Sequence, residues 1–591
     1  MTDTKLEDYS ETEEENKSKE VKELIEPKKT NNQSKAHEMA KSQREISIAE
    51  FFEKNRHLLG FDNKRKALLT TIKEAVDNSL DACEEADILP EITVEIHEIG
   101  TDKFRVIVED NGPGIVKAQI PKIFAKLLYG SKFHKLKMQR GQQGIGISAA
   151  VMYAQLTTGK PAKIISKIHP NEPAHYYELK IDTATNKPDI IKDVKKEWYK
   201  ENGTRIEIDL EASYNKGSQS VDEYIRETAV INPHVTLIYQ PPKGEQLMLV
   251  RATEEKPKQA QEIKPHPYGV ELGMLIKMLQ RTETKTVKQF LKEDFSRVGD
   301  KAAEEILENS KLLSKTKTKD MSRDMAEQLM NGIKKTKLMM PPTDCIVPLG
   351  ETMLEKGIKK EINAEFYTSV SRPPSVYRGN PFAIEVAIAY GGDQPADKSI
   401  NVMRFANRVP LLYQQGACAT QESITQTNWK SYGIQQTGSN MPVGPITIVI
   451  HIASVWVPFT SEAKEAIAHY PEIIKEMKLA IQEAGRNLAK YVKKKKRVKE
   501  ELKKRSYIET YIPHIAEALK ELTNCSATDE EIIKENLTEL LEQQRGKVDS
   551  LDFDPTKNEE YNEEFAKIGR EKEHDSNSEF SEENADEEDE K

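Results

Sequence analysis

Apolar or small residues recur at Leu68, Ile72, Ala75, Val76, Ser79 and Cys83, three or four positions apart. That period predicts an amphipathic helix with a core face. Its opposite arc carries Glu74 and Asn78, one turn apart and therefore side by side. The period then shortens to two. Phe104, Val106 and Val108 alternate with Arg105 and Ile107, which predicts a strand stopping at Asp110. Helix and strand patterns go on alternating over 67–265, as in an α/β sandwich. KPHPY (264–268) breaks the pattern, and 269–345 reads as largely helical. PPTDC (341–345) leads into a second α/β stretch, with strands expected at 384–392, 402–412 and 446–459. A helical pattern follows from 461 to about 505, Lys464 opening it, and Pro513 interrupts the apolar segment 506–519.

At 591 residues the chain has room for three or four domains, and the alternation makes it an α/β (α+β) multidomain protein. The expected divisions are a disordered acidic extension over 1–42, an α/β domain with its lead-in over 43–265, a helical domain over 266–345, a second α/β domain with a long basic helix over 346–525, and an acidic, mostly disordered tail over 526–591. The four cysteines are scattered and form no CxxC pair, which reads as reduced thiols rather than a disulfide frame or zinc site. No apolar run approaches the roughly 18 residues of a membrane span, and no signal peptide precedes the charged start. The expectation is a cytoplasmic protein with no membrane partner.

The net charge of −10 is unevenly placed. Residues 1–26 carry −6 and residues 571–591 carry −9, which leaves +5 for the body. Polar, acidic ends of this kind predict disorder. A mildly basic body between them is compatible with a DNA partner.

Three segments carry candidate chemistry: EAVDNSLDA (74–82), VEDNGPGI (108–115) and RGQQGIGIS (140–148). An Asn amide oxygen such as that of Asn78 suits a Mg²⁺ ion that bridges phosphates. Glu74, one turn away, is placed to polarise a water attacking a terminal phosphate. A solvated helix face is the plain alternative. Asp110 at a strand end can accept from an exocyclic amine such as adenine's, and Gly112 and Gly114 behind it permit close backbone approach. A bland Asp-Asn-Gly turn would look the same. Gly141, Gly144 and Gly146 form G-x-x-G-x-G before a helix, where bare N–H groups suit phosphate. No G-K-[ST] follows, so this is not a Walker loop. GTRIEI (203–208) adds a Gly-led strand.

In this order and spacing, EAVDNSLDA, EDNGPGI, GQQGIGIS and GTRIEI resemble the N, G1, G2 and G3 boxes of the GHKL (Bergerat-fold) ATPases. RFANRVPLLY (404–413), WKSYGI (429–434) and VWVPFTSEAKEAI (455–467) resemble the ATPase B subunits of type IIB topoisomerases. The resemblance covers roughly 43–525. It implies ATP and Mg²⁺ as cofactors, with Glu74 as catalytic base and Asn78 on the metal. It implies nucleotide contacts from Asp110, Gly112, Gly114, Ser131, Lys132, Arg140, Gly141, Gln142, Gln143, Gly144, Ile145, Gly146, Ile147 and Thr204. It makes Lys464 the lysine of a transducer domain that reaches back to the γ-phosphate.

Residues 116–140 then read as a lid over the nucleotide, or as a solvated loop. Residues 43–66 read as a strap exchanged between protomers, or as a helix packed on its own domain. VKQFLKEDFSRVGDKAAEEIL resembles a helix-two-turns-helix module with Gly299 in the turn, followed by Lys334, Lys335 and Lys337. It is either a DNA contact or a spacer. Nine of the fifteen residues in 491–505 are Lys or Arg, a solvated face or a set of phosphate contacts.

Gyrase-type chains continue into a TOPRIM metal site and a cleavage tyrosine, and no Glu…Asp-x-Asp set follows a strand here. The resemblance therefore implies a partner, the cleavage A subunit, in an A₂B₂ heterotetramer. It also implies an ATP-dependent B–B homodimer, double-stranded DNA as substrate, and association with the nucleoid. A MutL-type repair ATPase would need a C-terminal dimerisation domain. A chaperone clamp does not explain the basic helix, and a sensor kinase would need a phosphoacceptor His in a helical hairpin.

Overall fold

The computed structural model describes residues 39–40, 45–132, 135–141, 144–461, 463–524 and 526–545. They fall into two units, one ending at Lys490 and one beginning at Tyr491. The expected disorder of 1–38 and 546–591 lies outside the described residues.

Helix α1 (Ile48–Lys54) starts at Ser47, whose hydroxyl accepts from the Glu50 N–H. It buries Ala49 in the core of the domain that follows, so within one chain the lead-in packs on its own domain. Helix α2 (Lys64–Glu85) is capped by the Asn63 side chain accepting from Lys66 N–H. Next come β1 (Glu91–Gly100), β2 (Lys103–Asp110), α3 (Ile120–Phe124), α4 (Gly146–Thr158), β3 (Ala162–Lys167), β4 (Ala174–Asp182), β5 (Lys187–Lys196) and β6 (Gly203–Glu211). Helix α5 (Val221–Ile231), β7 (Thr236–Gln240) and β8 (Leu247–Leu249) complete the domain. The eight strands form one sheet in the order β5-β4-β3-β6-β2-β1-β7-β8. Every pairing is antiparallel except β1 with β7.

Leu68, Ile72 and Val76 of α2 share one core with Ala150 and Val151 of α4 and with Phe104, Val106 and Val108 of β2. The alternation on β2 turns Arg105 to the other face, where it pairs with Asp209 at 2.7 Å. The same parity returns Asp110 to the helix side. A buried carboxylate thus sits on a core-facing position.

Helices α6 (Leu272–Arg281), α7 (Val287–Asp294), α8 (Asp300–Ser310) and α9 (Arg323–Lys335) enclose a separate core that includes Leu275, Phe290, Ile306 and Leu329. Gly299 stands just before α8, in the connection from α7.

Helix α10 (Glu351–Glu361) leads to a second sheet of β9 (Phe366–Ser371), β10 (Ser375–Tyr377), β11 (Asn380–Tyr390), β12 (Asn401–Ala406), β13 (Val409–Pro410) and, after α11 (Ala419–Thr425), β14 (Ile446–Ser454). Its order is β10-β11-β14-β12-β13, with β9 also against β11. A Cβ on Gly357 of α10 would lie 1.9 Å from the Val230 carbonyl of α5, so these helices touch backbone to backbone. Around that contact Val230, Ile231, Leu354, Ile358, Ala387 and Phe405 form a core that joins α5 of the first domain to α10 and the second sheet.

Several expected elements differ. The strand expected over 402–412 breaks at Asn407 and Arg408, whose φ values of 49° and 64° make a tight turn. The strand expected over 446–459 ends at Ser454, because the Ser454 hydroxyl accepts from Trp456 N–H and folds the chain back. The helix expected from 461 starts only at Pro471: α12 spans Pro471–Thr523 and runs through Pro513 rather than stopping there.

Part of the tail expected to be disordered is helical, α13 (Ala527–Arg545). Its start is a capping box. Asp529 N–H donates to the Ser526 hydroxyl, and Ser526 N–H donates to the Asp529 carboxylate. Within the second unit Ile512, Ala516 and Leu541 are buried, and Lys520 pairs with Glu530 at 2.9 Å.

Candidate functional site

A cavity of about 650 Å³ lies beside α2, and its lining includes Glu74, Asn78, Asp110, Gly146, Thr204 and Lys464. The volume falls in the roughly 300–1,000 Å³ range of small-molecule sites. Residues separated by almost 400 positions therefore share one chamber.

Asp110 is almost fully buried there. Its Oδ2 accepts from the Ser79 hydroxyl at 2.8 Å, and its Oδ1 accepts from Gly112 N–H and Thr204 N–H, each at 3.0 Å. Burial raises its pKa, and these three bonds oppose the rise. A carboxylate held this firmly is preorganised to accept a further N–H from a ligand. Ser79, read from the sequence as part of the core face, is its anchor. Gly112 does not line the cavity; its N–H serves Asp110 instead, while Gly114 does line it.

Glu74 points at the start of α4. A Cβ built on Gly146 would lie 1.7 Å from Glu74 Oε2, so the carboxylate occupies the space that glycine leaves. Gly141, Gly144, Ile145, Gly146 and Ile147 all line the cavity, with Gly146 opening α4. Gln142 and Gln143, expected among the nucleotide contacts, lie outside the described residues.

Two expectations change. Arg140 does not line the cavity. Its guanidinium is buried and bonds Asp81 at 2.8 Å, Glu84 at 2.7 and 2.9 Å, and Asn232 at 2.7 Å. A buried Arg needs carboxylate partners, and α2 supplies two of them, Asp81 about one turn and Glu84 nearly two turns past Asn78. Lys464 is not at a helix start but in the loop after β14, with φ of 53°. Its ammonium donates to the Arg140 carbonyl at 3.2 Å, so the loop does reach the glycine-rich segment. Burial pulls the Lys464 ammonium below the usual lysine range, against the attraction of Glu74.

Ser131 and Lys132 line the cavity, and Lys132 pairs with Asp81 at 2.5 Å. The segment from 116 is anchored at its far end. Met138 N–H donates to the Cys345 carbonyl at 2.7 Å, and Leu136 and Met138 pack against Ile346 and Val455.

Sequence reading missed three contributors, two of them from the second domain. Tyr413 lines the cavity with Lys66 Nζ 5.0 Å from its ring centre. Glu465 pairs with Lys66 at 2.9 Å and accepts from Gln414 at 2.5 Å, which fixes the loop holding Lys464. Tyr413 and Glu465 lie inside the segments 404–413 and 455–467, so membership of those segments was the available signal, with Glu465 also next to Lys464. Asp77, between Glu74 and Asn78, is buried and accepts from the Tyr224 hydroxyl at 3.1 Å. Burial pushes its pKa up to about 7.

Comparison with known proteins agrees with this arrangement. Residues 63–213 match the family described as histidine kinase-, DNA gyrase B- and HSP90-like ATPase, and residues 341–504 match the topoisomerase VI B subunit transducer. Three relatives are, by name, B subunits of type 2 DNA topoisomerase 6. That of Methanococcoides burtonii is 52% identical over 485 residues, covering 82% of this chain and 78% of the relative. That of Methanosarcina barkeri is 52% identical over 482 residues (81% and 78%). That of Archaeoglobus fulgidus is 48% identical over 485 residues (82% and 80%).

Proposed function

The chain belongs to the topoisomerase VI B-subunit family, and we propose that ATP binding and hydrolysis in its α2-side cavity drive a gate that captures a DNA duplex. It carries a GHKL ATPase domain, which implies ATP binding. The observation that carries the rest is the Lys464 ammonium on the Arg140 carbonyl, which brings the second α/β domain to the glycine-rich loop.

In this reading Asp110 accepts the adenine amine and the N–H groups of the glycine-rich loop receive the phosphates. Among the described residues no three His, Cys, Asp or Glu side chains converge as a metal cage. The donor set therefore suits a Mg²⁺ held by Asn78, phosphates and water rather than by a carboxylate cluster. Such an ion would supply charge neutralisation on the phosphates. Glu74 takes the proton of the water that attacks the γ-phosphorus, and the bond to the β–γ bridging oxygen breaks to leave ADP. Lys464 transfers from the Arg140 carbonyl to the γ-phosphate, a contact present with ATP and lost with ADP. That difference biases the orientation of the two domains by the nucleotide bound.

Closure joins two B subunits, with residues 43–66 as the exchanged strap, around a second duplex. The helical domain and the basic part of α12 supply phosphate contacts. The first duplex is cut by the A subunit in an A₂B₂ assembly, and passage relaxes supercoils and separates catenanes at the nucleoid. The experiment is Lys464→Ala in the purified chain. ADP affinity should stay nearly unchanged while hydrolysis falls, and the wild-type chain alone should dimerise with a non-hydrolysable ATP analogue without cutting DNA. Wild-type turnover in Lys464→Ala, or cleavage by the chain alone, overturns the reading.

A further inference from the structure

Arg140 is gripped by the second domain at both of its ends. Its carbonyl accepts from Lys464, and its guanidinium shares Glu84 with Arg408, whose Nη1 lies 3.6 Å from Glu84 Oε2. Arg408 stands at the tip of the β12–β13 turn, is nearly fully buried, and donates from Nη2 to the Val347 carbonyl at 3.0 Å. Its own N–H donates to His451 Nε2 at 3.0 Å, and the other nitrogen of that ring meets Glu385 at 2.8 Å. The turn is thus pinned to the second sheet while the guanidinium projects onto α2. Glu84 also meets His234 Nε2 at 2.9 Å. Burial opposes its ionisation, but Arg140, His234 and Arg408 together hold its carboxyl well below the usual range. The link is therefore charged at both ends.

We propose that Arg408 is a positioning residue for ATP hydrolysis, acting through Glu84 and Arg140 to set where Lys464 meets the nucleotide. The inference rests on the role proposed for Lys464. When Lys464 leaves the Arg140 carbonyl for a phosphate, one of the two grips is released. The Arg408–Glu84–Arg140 bridge remains, so the second domain turns about a fixed point and Lys464 arrives in register. Without that point the lysine still exists but its placement is lost. A misplacement of about 1 Å in a reacting constellation can cost on the order of 10²-fold in rate.

The test is Arg408→Met in the full chain, with Arg408→Lys beside it. Glu84 keeps Arg140 and His234 in both variants, and the backbone bond to His451 is untouched, so folding is expected to survive. Arg408→Met should lower kcat about tenfold, within the range of residues that modulate coupling while touching neither ligand. KM for ATP should stay within roughly threefold, and Arg408→Lys should recover most of the loss because it restores the charge facing Glu84. In a Lys464→Ala background, Arg408→Met should add less than about a twofold loss, since both act through one contact. A merely structural role would not produce that non-additivity.

Wild-type kcat in Arg408→Met, or full additivity with Lys464→Ala, overturns the inference. If Arg408→Met does not fold, Glu84→Gln takes its place with the same expected split of kcat from KM, and an unchanged kcat there overturns it. Unimpaired hydrolysis by Lys464→Ala would instead remove the underlying reading.

Discussion

Replacing Gly146 by alanine isolates the contact that places the Glu74 carboxylate, the base in the proposed hydrolysis. The backbone there is helical, so alanine is conformationally acceptable, and a helical Gly→Ala change favours folding by up to about 1 kcal/mol. The added Cβ, however, would stand 1.7 Å from Glu74 Oε2 and 2.3 Å from its carboxyl carbon. To regain ordinary contact at about 3.4 Å the oxygen must retreat by roughly 1.7 Å. A displacement of that size takes a general base out of reach of its water, and turnover should fall by about 10² or more. Nucleotide affinity should change far less, because the bonds that hold Asp110 to Ser79, Gly112 and Thr204 are left in place.

Stability reads the same contact independently. Gly146→Ala should raise the melting temperature less in the wild type, where the Glu74 carboxylate must swing into the cavity, than in a Glu74→Ala background, where the space is free. Steady-state ATPase rates, ATP-analogue titrations and thermal melts of the four proteins complete the cycle. Wild-type turnover in Gly146→Ala would refute the assignment of Glu74 as base in the position described.

Asp110→Asn should weaken ATP and ADP alike by about 1–3 kcal/mol, because its one amide oxygen can keep Gly112 and Thr204 N–H only by turning the NH₂ donor toward adenine's amine; equal loss for both nucleotides is the check by calorimetric titration. Asp77 has a folded pKa raised by burial from 3.8 to about 7. The folded state therefore binds the proton more tightly, and stability falls as pH rises between those values. Asp77→Asn keeps an acceptor for Tyr224, so it should raise the melting temperature at pH 8 more than at pH 5; an equal gain at both would contradict the burial of an ionising group.

The parts of the site legible in the sequence are those set by short-range geometry. Glu74 and Asn78 share a face because they are one turn apart, and Asp110 faces α2 because it keeps the parity of Phe104, Val106 and Val108. The second domain's contribution was reached only through family resemblance. Nothing local distinguishes Lys464 from an ordinary surface lysine; what places it is the Lys66–Glu465 pair, made across 399 positions. Arg140 shows the converse. Next to a glycine-rich loop an arginine looks like a phosphate ligand, and here a buried Asp81 and a partly buried Glu84 of α2 hold its guanidinium. Asp81, seven positions after Glu74, continues the Glu74–Asn78 arc and Glu84 lies beside it, and an acidic pair on a partly buried helix face requires a cation from elsewhere. The tail helix was missed for a different reason, since net acidity hid the Ser526–Asp529 capping box and the Ile533, Leu537, Leu541 spacing.

These misses point the same way. Glu74, the arginine that begins the glycine-rich loop and the lysine that reaches it meet only when the second domain folds back on the first. The apolar core around Gly357 joins α5 to the second domain, with the Arg226–Glu361 pair beside it at 3.2 Å. Apolar burial there is insensitive to whether a nucleotide carries two phosphates or three, whereas the Lys464 contact is not. Attachment and signalling are thus assigned to different surfaces. On the proposed reading the domains stay joined through the ATPase cycle while the Lys464 ammonium, passing from the Arg140 carbonyl to a phosphate, alters how they are turned.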